Sequence, residues 1–409
     1  MHARTSLAVA AALLAATALA GTATAQRGRG NLPQVTCGAA MPEATREAQA
    51  AEAALDRTLL PRLSDADRQR FLTTALQQAT AGITAKPDNP YHHFLAGRAH
   101  AGMGHLAEAT AAFDKAVQLC PGFREEVTTA RTEAVDAAFA SATAKYAAGD
   151  TTGAIAGWET VAGLDSTRAE AVFNLGVAYG QRGDLARSTA AYRRILAVNV
   201  AASDTAGADR RIAAMGALLS AGANLFQQNK FNEAHDIFVS LRNADPNNRD
   251  AIYNDALSLY KTNRWTDEVP VASRLLTLDP LNYNAHIILF NAYKGLSEDA
   301  KAHSDTTRER INRNLALHTL ETADALPVQL SDVQLSGGPG SVTIKAVITG
   351  AAAPAGASRR VEFTVTNAQG PVGTGIATFT TPAKDAKTNI EVTIPTTGTV
   401  TSWRYRLLP

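Results

Sequence analysis

The sequence predicts an all-α array of helical repeats followed by a small all-β antiparallel sandwich, and three observations carry that fold class. Alanine is heavily used up to about residue 325, where it favours helix, and Thr, Val and Gly take over afterwards, favouring strand and turn. A small residue precedes an aromatic by four at Ala109 and Phe113, Ala154 and Trp158, Ser188 and Tyr192, and Ala234 and Phe238. Beyond Val328 the hydrophobic period changes from helical to two.

Taken in chain order, the first residues stand apart. Arg4, an apolar run from Leu7 to Ala20, and Ala23-Thr24-Ala25 before Gln26 are the parts of a secretory signal peptide. A membrane anchor needs about 20 apolar residues, and this run is shorter. Residues 1–25 are therefore expected to be removed, leaving a formally neutral mature chain without an integral span, periplasmic or secreted. Residues 26–41 read as an extended segment, 42–326 as the repeat domain and 327–409 as the sandwich. Lys and Arg total 39 against 38 Asp and Glu, so no charge excess points to nucleic acid or an anionic membrane.

The repeat has a measurable step. From Ala154 and Trp158 to Ser188 and Tyr192 it is 34 residues, as it is from Pro246 to Pro280. The other two steps, 45 and 46, are 34 plus insertions of 11 and 12. This pattern resembles the tetratricopeptide repeat, a helix–turn–helix unit with W-x2-L-G-x2-Y…A-x3-F…P spacing. Leu175-Gly176 with Tyr179 match it, as do Gly97, Gly104, Ala109, Phe113, Ala116 and Pro121. Gly222, Ala234, Phe238, Leu241 and Pro246 make another unit. Departures also occur: Glu268 stands where a small residue belongs, Pro270 lies inside the same helix, and Pro61 breaks the first helix of Asp56–Asn89. The resemblance covers residues 42–326, and one unit cannot bury its apolar face alone, so neighbours must stack. A long final helix carrying Ile311, Leu315, Leu320 and Leu326 is expected to cover the last face. The insertions at 124–134 and 203–214 either lengthen two first helices by about three turns or form surface loops.

In the C-terminal part, Val342, Ile344, Ala346 and Ile348 alternate with Thr343, Lys345, Val347 and Thr349. Val361, Phe363 and Val365, then Ile390, Val392 and Ile394, then Trp403, Tyr405 and Leu407 repeat the alternation. Six or seven short strands argue for an antiparallel sandwich. It looks like an immunoglobulin- or fibronectin-type accessory domain, a likeness of fold without a functional motif.

No nucleophile elbow, P-loop, H-E-x-x-H, C-x-x-C or EF-hand loop occurs, so neither catalytic residues nor a cofactor are expected. His92, His93, His100 and His105 lack metal-ligand spacing, and no metal is expected either. Cys37 and Cys120 are either one disulfide in an oxidising compartment or two thiols, because spacing does not fix geometry.

The resemblance implies that first helices line a concave face that holds a peptide or partner domain. Projecting the repeat frame places Phe94, Arg98, Phe139, Tyr146, Phe173, Gln181, Phe226, Tyr253, Tyr260 and Lys261 there. Aromatics recur and charges are few, which departs from the basic grooves of carboxylate-clamp members and suits an apolar segment. Each such aromatic has a second reading, as packing against the next unit. The chain thus reads as a protein-binding scaffold or adaptor of the bacterial cell envelope. The alternative is a glycan or cell-wall binder using Trp403 and Tyr405 of the sandwich.

Overall fold

A computed structural model describes residues 32–198, 204–338, 340–367 and 369–408, so the signal peptide expected at 1–25 lies outside the described residues. The helices are α1 (Arg46–Arg57), α2 (Asp65–Ala85), α3 (Pro90–Gly102), α4 (Leu106–Leu119), α5 (Arg124–Ala147), α6 (Thr151–Leu164) and α7 (Ala169–Gln181). There follow α8 (Leu185–Ala197), α9 (Thr205–Gln227), α10 (Phe231–Ala244), α11 (Arg249–Lys261), α12 (Trp265–Leu278), α13 (Tyr283–Ala302) and α14 (Thr306–Asp324). The strands are β1 (Val328–Gly338), β2 (Ser341–Gly350), β3 (Ser358–Asn367), β4 (Gly370–Thr380), β5 (Lys387–Pro395) and β6 (Ser402–Leu408). The fold is a tetratricopeptide-like helical solenoid followed by antiparallel strands in two small sheets. The chain divides after Ala178, within α7, into two compact units.

Local chemistry explains the helix ends. Ser64, Asn89, Asp150, Asp184, Asp204, Asn248, Asn282 and Asp305 each cap a helix N-terminus by accepting a backbone N–H bond. The turns between paired helices use left-handed residues: Gly104, Gly149, Gly183, Asn229, Asn263 and Ser304. Glycine and asparagine tolerate that conformation best, which stops one helix and aims the next.

Within each pair the small-residue rule has a steric basis. A Cβ added at Gly97 would lie 2.5 Å from the Phe113 ring, and one at Gly222 would lie 2.6 Å from Phe238. The aromatic of the second helix therefore rests directly on the backbone of the first. Phe113, Trp158 and Phe238 are all fully buried. Both insertions lengthen helices: α5 has 24 residues and α9 has 23, against 13 in α3, α7 and α11.

In the first unit, residues N-terminal to α1 join the core. Leu32 and Val35 are buried with Tyr91, Phe94, Phe113 and Phe123. The Tyr91 hydroxyl donates to the Pro33 carbonyl at 2.8 Å. Cys37 and Cys120 form a disulfide with Cα atoms 5.2 Å apart, 83 positions distant in sequence. The buried His92 ring shares a 2.8 Å hydrogen bond with the Thr45 hydroxyl, so this histidine of the sequence cluster is a core group.

In the second unit, α12 stays helical through Pro270 and buries Glu268 completely. Neither carboxylate oxygen of Glu268 has a hydrogen-bond partner among the described residues. Burial pushes its carboxyl up to about 8. The final helix does not bury all the expected apolar side chains: Ile311 and Leu315 of α14 are exposed, while Ala316, Thr319 and Ala323 face inward. The long segment is in fact two helices, α13 and α14, folded on each other at the Ser304 turn. The helix therefore spends its buried stripe on α13.

The strands form two antiparallel sheets, β1-β2-β5 and β4-β3-β6. Val342, Ile344, Ala346 and Ile348 of β2 meet Val361, Phe363 and Val365 of β3 in one core. β2 pairs with β5 in unbroken register, Ile344 opposite Val392 and Ala346 opposite Ile390. Leu281, from the start of the last helical pair, belongs to the same core, and its carbonyl accepts the Leu330 N–H at 3.2 Å.

Candidate functional site

The residues projected onto one face of the first helices have different environments. In the first unit, Phe94 is 1 % exposed and packs 5.9 Å from Phe113 and 5.3 Å from Phe123, ring centre to ring centre. It belongs to the core, because the segment before α1 and the pair α1/α2 cover this end of the array. Arg98 is likewise engaged: its guanidinium grips both carboxylate oxygens of the buried Glu52, at 2.9 and 2.6 Å. Neither Phe94 nor Arg98 is therefore open to a partner.

Phe139, Tyr146 and Phe173 are half-buried. The Arg168 guanidinium sits 5.2 Å over the Phe139 ring, and Tyr146 packs 5.3 Å from Trp158. In the second unit Gln181 and Lys261 are exposed, while Phe226, Tyr253 and Tyr260 are half-buried. Phe226 makes an edge contact with Phe231 at 5.0 Å, and Tyr260 one with Trp265 at 5.5 Å. Tyr253 packs on the core of α11 to α13, and that burial raises its hydroxyl pKa. Each ring thus has one side on its own unit and keeps surface outside it. Phe113, Trp158 and Phe238 of the second helices are buried in the core, whereas Phe139, Phe173 and Tyr253 of the first helices are half-buried; Tyr179 of α7 is buried as well.

Trp403 and Tyr405 have another role. The Arg249 guanidinium of α11 lies 3.2 Å from the Trp403 ring centre, and its Nη2 donates to the Leu278 carbonyl at 2.8 Å. Tyr405 is 5 % exposed, donates its hydroxyl proton to Asp279 and accepts the Leu281 N–H at 3.0 Å. Arg249 Nε stands 3.4 Å from Asp279. Burial and the neighbouring Asp279 push the Tyr405 hydroxyl well above its usual range, so it stays a donor. The pair is the seam by which the sandwich docks onto α11 and α12, with Tyr405 buried in it and Trp403 half-buried under the Arg249 guanidinium. Replacing Arg249 by alanine is expected to cost about 3 kcal/mol, because it leaves Asp279 buried without its cation. Urea unfolding followed by tryptophan fluorescence measures that loss.

Sequence reasoning missed this seam and the buried cluster on α10 and α11. There Asp255 is fully buried, 2.5 Å from His235 Nδ1 and 2.8 Å from Arg242 Nε. Burial raises the Asp255 carboxyl pKa and the Arg242 charge opposes that rise. The cluster bonds one helix pair to the next. Among the described residues no group of three or more His, Cys, Asp or Glu could hold a metal ion. No described helix is long and apolar enough to cross a membrane.

The family model of the tetratricopeptide repeat matches residues 60–122, 139–206 and 219–283. Among solved structures, one of MamA AMB-1 is 19% identical, with 47% of this chain and 91% of that chain covered at a TM-score of 0.27. Another of MamA is 16% identical, covering 44% of this chain and 91% of that one at a TM-score of 0.26. The tetratricopeptide domain of P58(IPK) is 16% identical, with 62% and 94% covered at a TM-score of 0.20. No curated protein matches the sequence.

Proposed function

We propose that this tetratricopeptide-repeat chain is a non-catalytic scaffold or adaptor of the bacterial cell envelope that holds a protein partner on its first helices. One observation supports this reading above the others. Phe139 of α5, Phe173 of α7 and Tyr253 of α11 occupy the same place in their repeats, where α9 has Leu219, and keep surface outside the core, whereas Phe113, Trp158 and Phe238 are buried. Within a unit, half-exposed aromatics suit an extended or helical apolar segment, which pays little entropy when it docks on pre-placed rings. Gln181, Phe226, Tyr260 and Lys261 supply further contacts in the second unit. The sandwich is a docked end-piece held by Arg249, Asp279 and Tyr405.

Export supports the envelope assignment: the signal-peptide pattern ending at Ala25 and the Cys37–Cys120 bond both suit an oxidising compartment. The test is affinity capture from the native envelope, read by mass spectrometry, with N-terminal sequencing of the mature chain. The reading expects a chain beginning at Gln26 and a protein retained by the wild type but lost from a Phe139→Ala, Tyr253→Ala double variant. A mature chain that keeps residues 1–25, or a partner retained equally by both forms, overturns it.

A further inference from the structure

The last helical pair breaks the dimensions of the array in a way that makes a cleft. First helices of ordinary length have 13 residues, as in α11, but α13 has 20. Its extra turns raise Leu296, Glu298 and Asp299 beside the turn that joins α11 to α12. Between them lies an open cleft of about 630 Å³, lined also by Asn263, Arg264, Trp265 and Asp267. That volume is in the range of small-ligand sites.

The floor of the cleft is aromatic. Trp265 opens α12, where the matching first residue is Leu106 in α4, Leu185 in α8 and the smaller aromatic Phe231 in α10. A Cβ at Gly295 would lie 2.4 Å from the Trp265 ring, so glycine lets the indole lie flat against the α13 backbone. Tyr260 meets the indole edge-on and fixes it from the side. The ring is half-buried and faces a lining of three carboxylates against one guanidinium. Arg264 is already bound to Asp267 at 2.7 Å. Among the described residues, Glu298 and Asp299 make long, exposed ion pairs, with Lys294 at 3.8 Å and His303 at 3.6 Å. Negative charge held by long, exposed pairs around a rigid indole is complementary to one chemistry, a side-chain cation.

We propose that this cleft takes an arginine or lysine side chain of a basic peptide segment, its cation over Trp265 and paired with Glu298 and Asp299. The proposal rests on the reading of the chain as a protein scaffold and adds to it a second contact point, at the edge of the array. An incoming guanidinium displaces Lys294, whose exposed pair is weak and screened by salt.

The test is calorimetric titration of the full chain with a capped peptide of alternating glycine and arginine, with a glycine–glutamate peptide as control. The arginine peptide is expected to bind one-to-one and to weaken with added salt, while the control does not bind. Glu298→Gln with Asp299→Asn should weaken binding about fivefold without moving the melting temperature, since both side chains are exposed rim partners. Trp265→Leu, which restores the residue of α4 and α8, should weaken it further. No saturable binding of the arginine peptide, or equal binding by the double variant, overturns the proposal. Either result leaves partner capture on the first helices untouched, so the two readings fail separately.

Discussion

Breaking the Cys37–Cys120 bond is expected to lower the stability of the first unit by about 4.5 kcal/mol on the chain-entropy account of cross-links. The bond closes a loop of 83 positions, which is large enough to restrict the unfolded chain severely. The folded state depends on it as well, because the segment it ties carries Leu32 and Val35 into the core and Pro33 onto Tyr91. Released, that segment uncovers Tyr91, Phe94 and Phe123 at the end of the array. The check is a denaturant midpoint of the Cys37→Ser, Cys120→Ser variant beside the oxidised wild type, with thiols counted in the denatured wild type. Two free thiols, or equal midpoints, contradict the expectation.

Glu268→Ala is expected to stabilise the protein at pH 8, against the usual direction of a core truncation. Unfolded, the carboxyl ionises near 4.5; folded, burial pushes it up to about 8. Between those values the folded chain holds a proton that the unfolded chain has released. Stability therefore falls as pH rises from 4.5 to 8, by roughly 3–5 kcal/mol in all. Alanine stands at the matching place in three other repeats, as Ala109, Ala154 and Ala234, so the repeat frame packs well with it. Below pH 4.5 the wild-type carboxyl is neutral in both states and the advantage of alanine shrinks to its packing difference. Melting curves of both forms at pH 4.5 and 8 measure this. A gap between them that does not widen with pH contradicts it.

The helical part was legible because its signal is local. A small residue and an aromatic four apart recur at the spacing of one repeat, and the glycine twelve residues before that small residue, Gly97 or Gly222, takes the aromatic ring against its backbone. The period of two in Val342 to Ile348 and in Val361 to Val365 was legible for the same reason. The size of the two insertions was countable between matched pairs, but the count alone did not decide whether they lengthen α5 and α9 or form loops. What escaped detection depends on partners far apart in sequence. Phe94 has the same place in its repeat as Phe139 and Phe173, and nothing near it reveals that Leu32, Val35 and α1 close over that end. Arg98 reads as a groove cation until Glu52, 46 positions away, is found against it. Trp403 and Tyr405 alternate like surface-capable strand residues, but Arg249 and Asp279 draw them into the seam. Glu268 was visible as an exception to the repeat, although its burial without a partner was not.

The central claim is that the half-buried first-helix aromatics Phe139, Phe173 and Tyr253 serve a partner rather than the core, and Phe173→Ala tests it most directly. The measurement pairs the melting temperature of the variant with its affinity for the captured partner. The account predicts a loss of about 2 kcal/mol or more in binding with little change in stability, as at an interface hot spot. Phe94→Ala, in the matched position but buried, should instead lose about 3–5 kcal/mol of stability. A Phe173→Ala protein that is destabilised like Phe94→Ala, yet binds the partner normally in its folded fraction, would contradict the account.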